Sequence, residues 1–347
     1  MSYRKIVVGT DGSVTATVAL RTAAKLAKRT RSELTVVTAI DPPRIEEPEA
    51  LAVLEHATAV LERDRVKART EAARGDPADI VLRYAYSSGA DLVVVGNKGM
   101  GQPRRLRLGA VPDQIAHAGG ADILIVDTRA ATEGQGEPKP YARFLIGTDG
   151  SPTANECARK GMELAMMMGA DVTLLYIGDA LVGAIKLEET SSAAPEGVKV
   201  TPWVEPSGDP ADVIVGVARE LSADLIVVGN KGMSGARRLL GSVPNTVAHT
   251  APCDVLIAKT VDRTLADIAP DTGAVLDVGG RSLAVYRDAD GAVHAISPRC
   301  THMGCTVDWN DAEKTWDCPC HGSRYDRFGE VTRGPATRPL APQAIEG

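Results

Sequence analysis

The chain has 347 residues, 44% hydrophobic, 24% charged and 3% aromatic, which at roughly 100 to 200 residues per domain predicts two or three domains with more than one core. Its net charge of -6 is spread through the sequence, with 39 Lys and Arg among 45 Asp and Glu, and this argues against a nucleic-acid partner or a polybasic membrane anchor. Nowhere do about 18 apolar residues run together, and residues 1–12 offer only Ile6-Val7-Val8, so the expectation is a cytoplasmic protein without a membrane span.

In chain order, a strand is predicted at 5–8, a helix after Ser13, a strand at 34–37, a helix around 80–86, a strand at 92–95, a helix ending at His117 and a strand at 123–126. The strands are apolar without alternation, as in a parallel sheet covered on both faces, so the fold class is α/β and doubly wound. The unit then repeats. Gly9-Thr10-Asp11-Gly12-Ser13 returns as Gly147-Thr148-Asp149-Gly150-Ser151, residues 75–79 return as 208–212, and 90–100 return as 223–233. Two homologous domains at 1–130 and 141–260 follow, joined by a Gly-, Glu- and Pro-rich linker at 131–140. From 261 to 347 the pattern changes. Short runs at 275–278, 282–286 and 293–296, separated by Gly279-Gly280 and Asp290-Gly291, predict a small antiparallel β domain.

Each repeat places Thr-Asp at the carboxyl end of its first strand and a glycine loop after its fourth, the two places that flank a ligand crevice in an open parallel sheet. The loops carry Gly96, Gly99 and Gly109, then Gly229, Gly232 and Gly241, with a helix predicted just after the last glycine. Such a loop lets backbone N–H groups and a helix N-terminus face a phosphate, although Gly-x-x-Gly alone also serves as a plain turn. With Asp11, the Thr-Asp-Gly-Ser turn and Gly-Asp-Pro-Ala, in order and twice, residues 1–260 resemble the universal stress protein family. The resemblance implies ATP binding, with contacts at Asp11, Ala39, Gly96, Gly99, Gly109 and Val111 in the first repeat, and at Asp149, Ile177, Gly229, Gly232, Gly241, Ser242 and Val243 in the second. In the family's pattern nine residues separate Gly-x-x-Gly from Gly-Ser or Gly-Thr. The first repeat keeps the spacing but has Ala110 for the hydroxyl, a loss of about 1 kcal/mol; the second keeps Ser242 but is one residue short, which predicts a displaced loop. The family commonly dimerises through its last strand, so 123–126 and 255–258 are expected to pair and make the tandem an intramolecular pseudo-dimer. There is no Walker loop, and vigorous hydrolysis is not expected.

Other features of the repeats read as structural. His117 and His249 fall at a helix C-terminus, where histidine caps carbonyls. Met166-Met167-Met168 reads as core filling, and Cys157 and Cys253 as small buried residues.

The sharpest signal is Cys300-Thr301-His302-Met303-Gly304-Cys305, then hairpin material, then Cys318-Pro319-Cys320-His321-Gly322-Ser323. In a cytosolic chain such clustering points to metal before disulfides. Two thiolates suit one iron and two imidazoles a second, the ligand division of a 2Fe-2S centre; the alternative is structural zinc, whose cysteines usually pair as C-x-x-C. Over about 262–347 the chain resembles the Rieske family, which implies a 2Fe-2S cluster on Cys300, His302, Cys318 and His321. Likeness to the high-potential members implies a Cys305 to Cys320 disulfide, hydrogen bonds from Ser323 to a bridging sulfide and from Tyr325 to a ligand sulfur, and a proline loop at Gly334-Pro335. The remaining histidines, His56, His117, His249 and His294, are scattered and build no mononuclear iron site, so an oxygenase is rejected. No catalytic residue is assigned. Two functions follow: a stress-associated nucleotide-binding protein whose cluster transfers or senses one electron, or a soluble electron carrier for a separate oxidoreductase with the α/β domains as docking scaffold. The expected partners are an unidentified redox protein, adenine nucleotide and a further copy of the chain, with no membrane and no nucleic acid.

Overall fold

The computed structural model describes residues 3–42, 45–97, 108–118, 120–129, 141–230, 241–260, 265, 268–278, 281–318 and 320–345. The linker at 131–140, Gly99 and Gly232 lie outside them. The chain folds into two compact units, one formed by residues up to Thr260, with 118–120 excepted, and the other from Val261 onward.

The first unit contains both repeats. The first repeat runs β1 (Lys5–Gly9), α1 (Val14–Thr30), β2 (Glu33–Ile40), α2 (Glu47–Arg63), β3 (Ala68–Arg74), α3 (Pro77–Ser88), β4 (Leu92–Gly96), α4 (Ala110–Ala118) and β5 (Asp122–Val126). The second matches it with β6 (Arg143–Gly147), α5 (Pro152–Met168), β7 (Asp171–Ile177), α6 (Ala180–Ser191), β8 (Val200–Glu205), α7 (Pro210–Glu220), β9 (Leu225–Gly229), α8 (Ser242–Thr250) and β10 (Asp254–Ala258). The repeated Ser fixes where the first helix of each begins. Ser13 Oγ accepts the Ala16 N–H at 3.1 Å and Ser151 Oγ the Ala154 N–H at 3.2 Å, satisfying a donor the first turn cannot pair internally.

Within each repeat the five strands are parallel, and the two sheets join through β5 and β10 into one of ten strands, ordered β3-β2-β1-β4-β5-β10-β9-β6-β7-β8. The junction is antiparallel, with Val255 opposite Ile125, Leu256 opposite Leu124 and Ile257 opposite Ile123. All six side chains are buried, so the expected pairing of last strands removes two apolar edges at once. The remaining edges, β3 and β8, differ in character: β3 (ARTEAAR) has no fully buried residue, and β8 carries Pro202, which cannot donate to a further strand.

Two buried carboxylates tie the repeats together. Asp122, 3% exposed, accepts from the Tyr3 hydroxyl at 2.9 Å in its own repeat, and from Lys160 Nζ and the Lys259 N–H, both at 2.8 Å, in the other. Its counterpart Asp254 accepts from Tyr141 Oη at 2.5 Å and the Asp127 N–H at 2.8 Å. Lys259 also donates through Nζ to the Ala116 carbonyl at 2.9 Å. Burial lowers its amine from 10.5 to about 8, against the pull of Asp122. A lysine depressed in the native state binds fewer protons there than in the unfolded chain, so its contribution to stability rises with pH between about 8 and 10.5. Tyr3 and Tyr141, raised by burial first and by their aspartates second, act oppositely only above their ordinary value of 10. Burial also raises the Cys157 thiol from its ordinary value of 9, which opposes Lys259 above about pH 9. Denaturant unfolding of the first unit should therefore become harder from pH 8 to pH 9, by about 1 kcal/mol, and Lys259→Met should flatten that slope.

The second unit is small and antiparallel, as expected. One sheet holds β11 (Thr272–Val278), β12 (Arg281–Arg287) and β13 (Val293–Ile296); the other holds β14 (Asp308–Asn310), β15 (Thr315–Asp317), β16 (Arg324–Asp326) and β17 (Val331–Arg333). Its core includes the fully buried Trp316, Tyr325 and Tyr286. Among the described residues no helix is long and apolar enough to cross a membrane.

The methionine run is corrected. Met168 is buried, but Met166 is 47% exposed, because three successive residues of α5 span most of a helical turn and cannot all face the sheet. Cys157 and Cys253 are buried as expected.

Candidate functional site

The cysteine and histidine segments form two loops of the same construction. In the first, the Cys300 N–H donates to the Cys305 carbonyl and the Gly304 N–H to the Cys300 carbonyl, each at 2.8 Å. In the second, the Cys318 N–H donates to the Ser323 carbonyl at 2.7 Å and the Gly322 N–H to the Cys318 carbonyl at 3.0 Å. The fifth residue of each loop, Gly304 at φ 78° and Gly322 at φ 72°, is left-handed, where a side chain would be strained. The equivalence explains why the sequence shows C-x-x-x-G followed by Cys or Ser twice.

A disulfide joins Cys305, sixth in the first loop, to Cys320, third in the second, with Cα atoms 6.6 Å apart. This leaves Cys300 and Cys318 as the free thiols of the second unit, both buried. The Cys318 sulfur lies within 4.8 Å of both disulfide sulfurs, but a disulfide sulfur is no thiolate, so that trio is not a metal site. His302 and His321 are exposed, with ring centroids 5.0 Å apart at an interplanar angle of 82°. The arrangement thus has a buried sulfur side and an exposed imidazole side.

Hydrogen bonds converge on Cys300. Its thiol is held down at about 5, first by the S–H donated from Cys318, then by the Tyr325 hydroxyl, the His302 N–H and the Ser323 hydroxyl, with burial opposing. Cys318, the donor of the pair, is pushed up by that bond and by burial. Tyr325 Oη donates to Cys300 Sγ at 3.1 Å and accepts the Thr301 N–H at 3.0 Å; burial first, then its bond to Cys300, raises the phenol to about 12. Ser323 is completely buried and accepts the Ala336 N–H at 3.0 Å, which ties the segment after Gly334-Pro335 to the second loop. Two buried cysteine sulfurs, on loops that also carry two exposed imidazoles, are residue types that fit a centre needing two thiolates and two neutral histidines.

In the first unit, the sequence-assigned nucleotide residues that are described fall at strand ends and helix starts. Asp11 and Asp149 follow β1 and β6, and each accepts from the N–H of its turn serine, at 3.0 Å from Ser13 and 2.9 Å from Ser151. Ala39 is the last residue but one of β2 and Ile177 the last of β7, Gly96 and Gly229 end β4 and β9, and Val111, Ser242 and Val243 lie in the first turn of α4 or α8. The feet of the glycine loops are bonded alike: the Gly109 N–H donates to the Asn97 carbonyl at 2.9 Å and the Gly241 N–H to the Asn230 carbonyl at 3.0 Å. The one-residue difference in length therefore displaces neither foot of the second loop.

Sequence reasoning missed what holds those feet. Asn97 Oδ1 accepts from Thr128 Oγ1 at 2.6 Å and the Thr128 N–H at 3.1 Å, and Asn230 Oδ1 from Thr260 Oγ1 at 3.2 Å and the Thr260 N–H at 3.0 Å. The signal was present, since Asn and Thr recur at equivalent positions of both repeats. His117 and His249 do not cap the last carbonyls of their helices: each donates through Nδ1 at 2.8 Å to the carbonyl four residues back, Asp113 or Asn245, which lies inside the helix.

The universal stress protein family profile matches residues 2–127 and 179–259, together more than half of the chain, and the Rieske [2Fe-2S] domain profile matches 259–343. The first unit resembles a universal stress protein from Archaeoglobus fulgidus DSM 4304 at a TM-score of 0.59 and 19% identity, covering 75% of this chain and 99% of that one, a likeness of fold. In the second unit, 74 residues are 51% identical to YhfW of Bacillus subtilis, and 58 residues are 52% identical to the cytochrome b6-f complex iron-sulfur subunit 2 of Trichormus variabilis. These stretches are 21% and 17% of this chain but only 14% and 33% of the relatives' lengths. The chain belongs to the universal stress protein family, as two tandem α/β repeats, and carries a Rieske [2Fe-2S] domain at its C-terminal end.

Proposed function

We propose that this chain is a one-electron protein on a nucleotide-binding scaffold, with Cys300 and Cys318 holding one iron of a 2Fe-2S cluster and His302 and His321 the other. When bound, the cluster supplies a single-electron couple. The observation that carries the reading is the buried Tyr325 hydroxyl aimed at Cys300 Sγ from 3.1 Å. A donor on a ligand sulfur favours the more negative oxidation state, so it tunes a potential; a redox-inert zinc ion offers nothing to tune. Buried cysteines keep water from the sulfur side, and the exposed imidazoles give a partner protein a short approach.

The tandem unit is the adenine nucleotide scaffold in this reading, with ATP as the ligand. Family membership and the paired Asp turns, glycine-loop feet and helix starts support it. The unit then reports adenylate state while the cluster reports or transfers an electron. If it is instead only a docking scaffold, the chain is an electron carrier for a separate oxidoreductase.

A redox titration of the full chain tests both halves. The midpoint should be clearly positive at neutral pH. One hydrogen bond to charged sulfur is worth about 1.5–3 kcal/mol, or roughly 65–130 mV for one electron, so Tyr325→Phe and Ser323→Ala should each lower the midpoint by about that amount while sparing every ligand. A wild-type midpoint below about -100 mV, near the bottom of the Rieske range, contradicts the reading. ATP should shift the midpoint if the scaffold reports adenylate state; no shift leaves the carrier function.

A further inference from the structure

Charge in the second unit is sorted between the two ends of its strands. At one end are the loops 300–305 and 318–323 and the segment 334–339. That segment is bound to both loops: Ala336 N–H donates to Ser323 Oγ at 3.0 Å, and the Arg338 carbonyl accepts from Thr301 Oγ1 at 2.6 Å. At the other end meet the turns beyond β12, β14 and β16 and the residues before β11. Lys314 Nζ lies 3.5 Å from the Asp271 carboxylate, Arg327 lies 4.0 Å from it, and the Phe328 and His294 rings are 5.1 Å apart.

The acids collect at this far end as Asp271, Asp288, Asp290, Asp311, Glu313, Asp326 and Glu330, only partly balanced by Arg287, Lys314 and Arg327. At the loop end the acids with described side chains are Asp308 and Asp317, which face each other across β14 and β15, and Asp317 is held by Arg324 at 2.9 Å. Arg333 and Arg338 are exposed there, and among the described residues neither guanidinium has a carboxylate partner. Arg299, also exposed, adjoins Cys300. A chain that is acidic in sum thus carries exposed arginines, Arg333 and Arg338, unpaired among the described residues, at the end of the second unit that holds the two loops.

We propose that this end of the second unit is a docking face for a soluble electron-transfer protein whose own redox centre is ringed by carboxylates, which Arg333 and Arg338 meet. The proposal rests on the cluster lying between the two loops. Complementary charge acts on encounter: it raises association rates by 10-fold to 1,000-fold and weakens with salt. An exposed guanidinium adds little static affinity, so the effect belongs in rates and salt slopes.

The test compares two small one-electron oxidants, anionic hexacyanoferrate(III) and cationic tris(phenanthroline)cobalt(III), each taking one electron from the reduced full chain and becoming its iron(II) or cobalt(II) form. The net charge of -6 alone would make the anion react faster as salt rises. The proposal requires the reverse, an anion rate that falls with salt, and a slowing of about tenfold at low salt in Arg333→Glu/Arg338→Glu. Arg333→Gln/Arg338→Gln should give an intermediate loss. A fluorescent decaglutamate peptide, mixed rapidly with the protein at low salt and followed by anisotropy, should associate with the Glu variant about tenfold more slowly than with wild type. An anion rate that rises with salt, or variants that match wild type with their visible spectrum intact, overturns the docking face. Absence of the visible spectrum from wild type would instead remove the cluster assignment beneath it.

Discussion

Cys300→Ser or His321→Ala is expected to abolish the visible absorption and bound iron of the full chain while the first unit unfolds as in wild type. Each variant deletes one proposed ligand but leaves its loop closed, because the bonds that shape the loops are made by the backbone of Cys300, Gly304, Cys318 and Gly322. The two units bury separate cores, one of β-strand and helix residues from both repeats and the others around Trp316, Tyr325 and Leu276, so losing the cluster should not unfold the first. Absorption and iron content, with a denaturant curve of the first unit, check both halves. Iron retained at wild-type stoichiometry in either variant would remove that residue from the ligand set.

Asp122→Ala should destabilise the first unit by about 3–5 kcal/mol, the cost of breaking a buried ion pair from one side. The substitution strands the Tyr3 hydroxyl and the Lys259 N–H and leaves the Lys160 ammonium without its counter-charge, with only the Lys259 carbonyl at 2.8 Å to accept from it. Lys160 is only 18% exposed, so water restores little of what the carboxylate supplies. Asp254→Ala is the comparison. It too spans the repeats, through Tyr141 and the Asp127 N–H, but the position matching Lys160 in the first repeat is the uncharged Thr22, and a smaller loss is expected. Urea midpoints of the two variants, with wild-type slope, measure the difference. Equal effects would show that the ion pair adds nothing to the hydroxyl and backbone bonds.

The pairing of β5 with β10 was expected only from the resemblance to the universal stress protein family, whereas the repeats were legible as recurring motifs and the parallel strands as uninterrupted apolar runs. By the same rule β3 was invisible: an edge strand reading ARTEAAR buries no residue fully and leaves no apolar signature. The helix α2 escaped for a related reason, since its buried residues, such as Ala50, Leu54, Ala57 and Leu61, form one narrow stripe among glutamates. Asp122 and Asp254 were illegible as clamps. An aspartate beside a strand reads as turn punctuation, and the partners that make Asp122 structural lie 119, 38 and 137 residues away. The cysteines and histidines of 300–321 stood out because these types are rare and repeat a glycine-closed spacing. What their order along the chain could not show is the asymmetry of burial, with sulfurs inside and imidazoles outside, because that depends on how β14 to β17 fold beneath the loops.

The most direct test of the central claim is the metal and acid-labile sulfide content of the full chain purified without oxygen. Two irons and two sulfides per chain are predicted, matching two thiolates and two imidazoles on one binuclear centre. One zinc ion with no labile sulfide would contradict the account, turning Cys300, His302, Cys318 and His321 into a structural site and leaving the donors on Cys300 without an electron to tune.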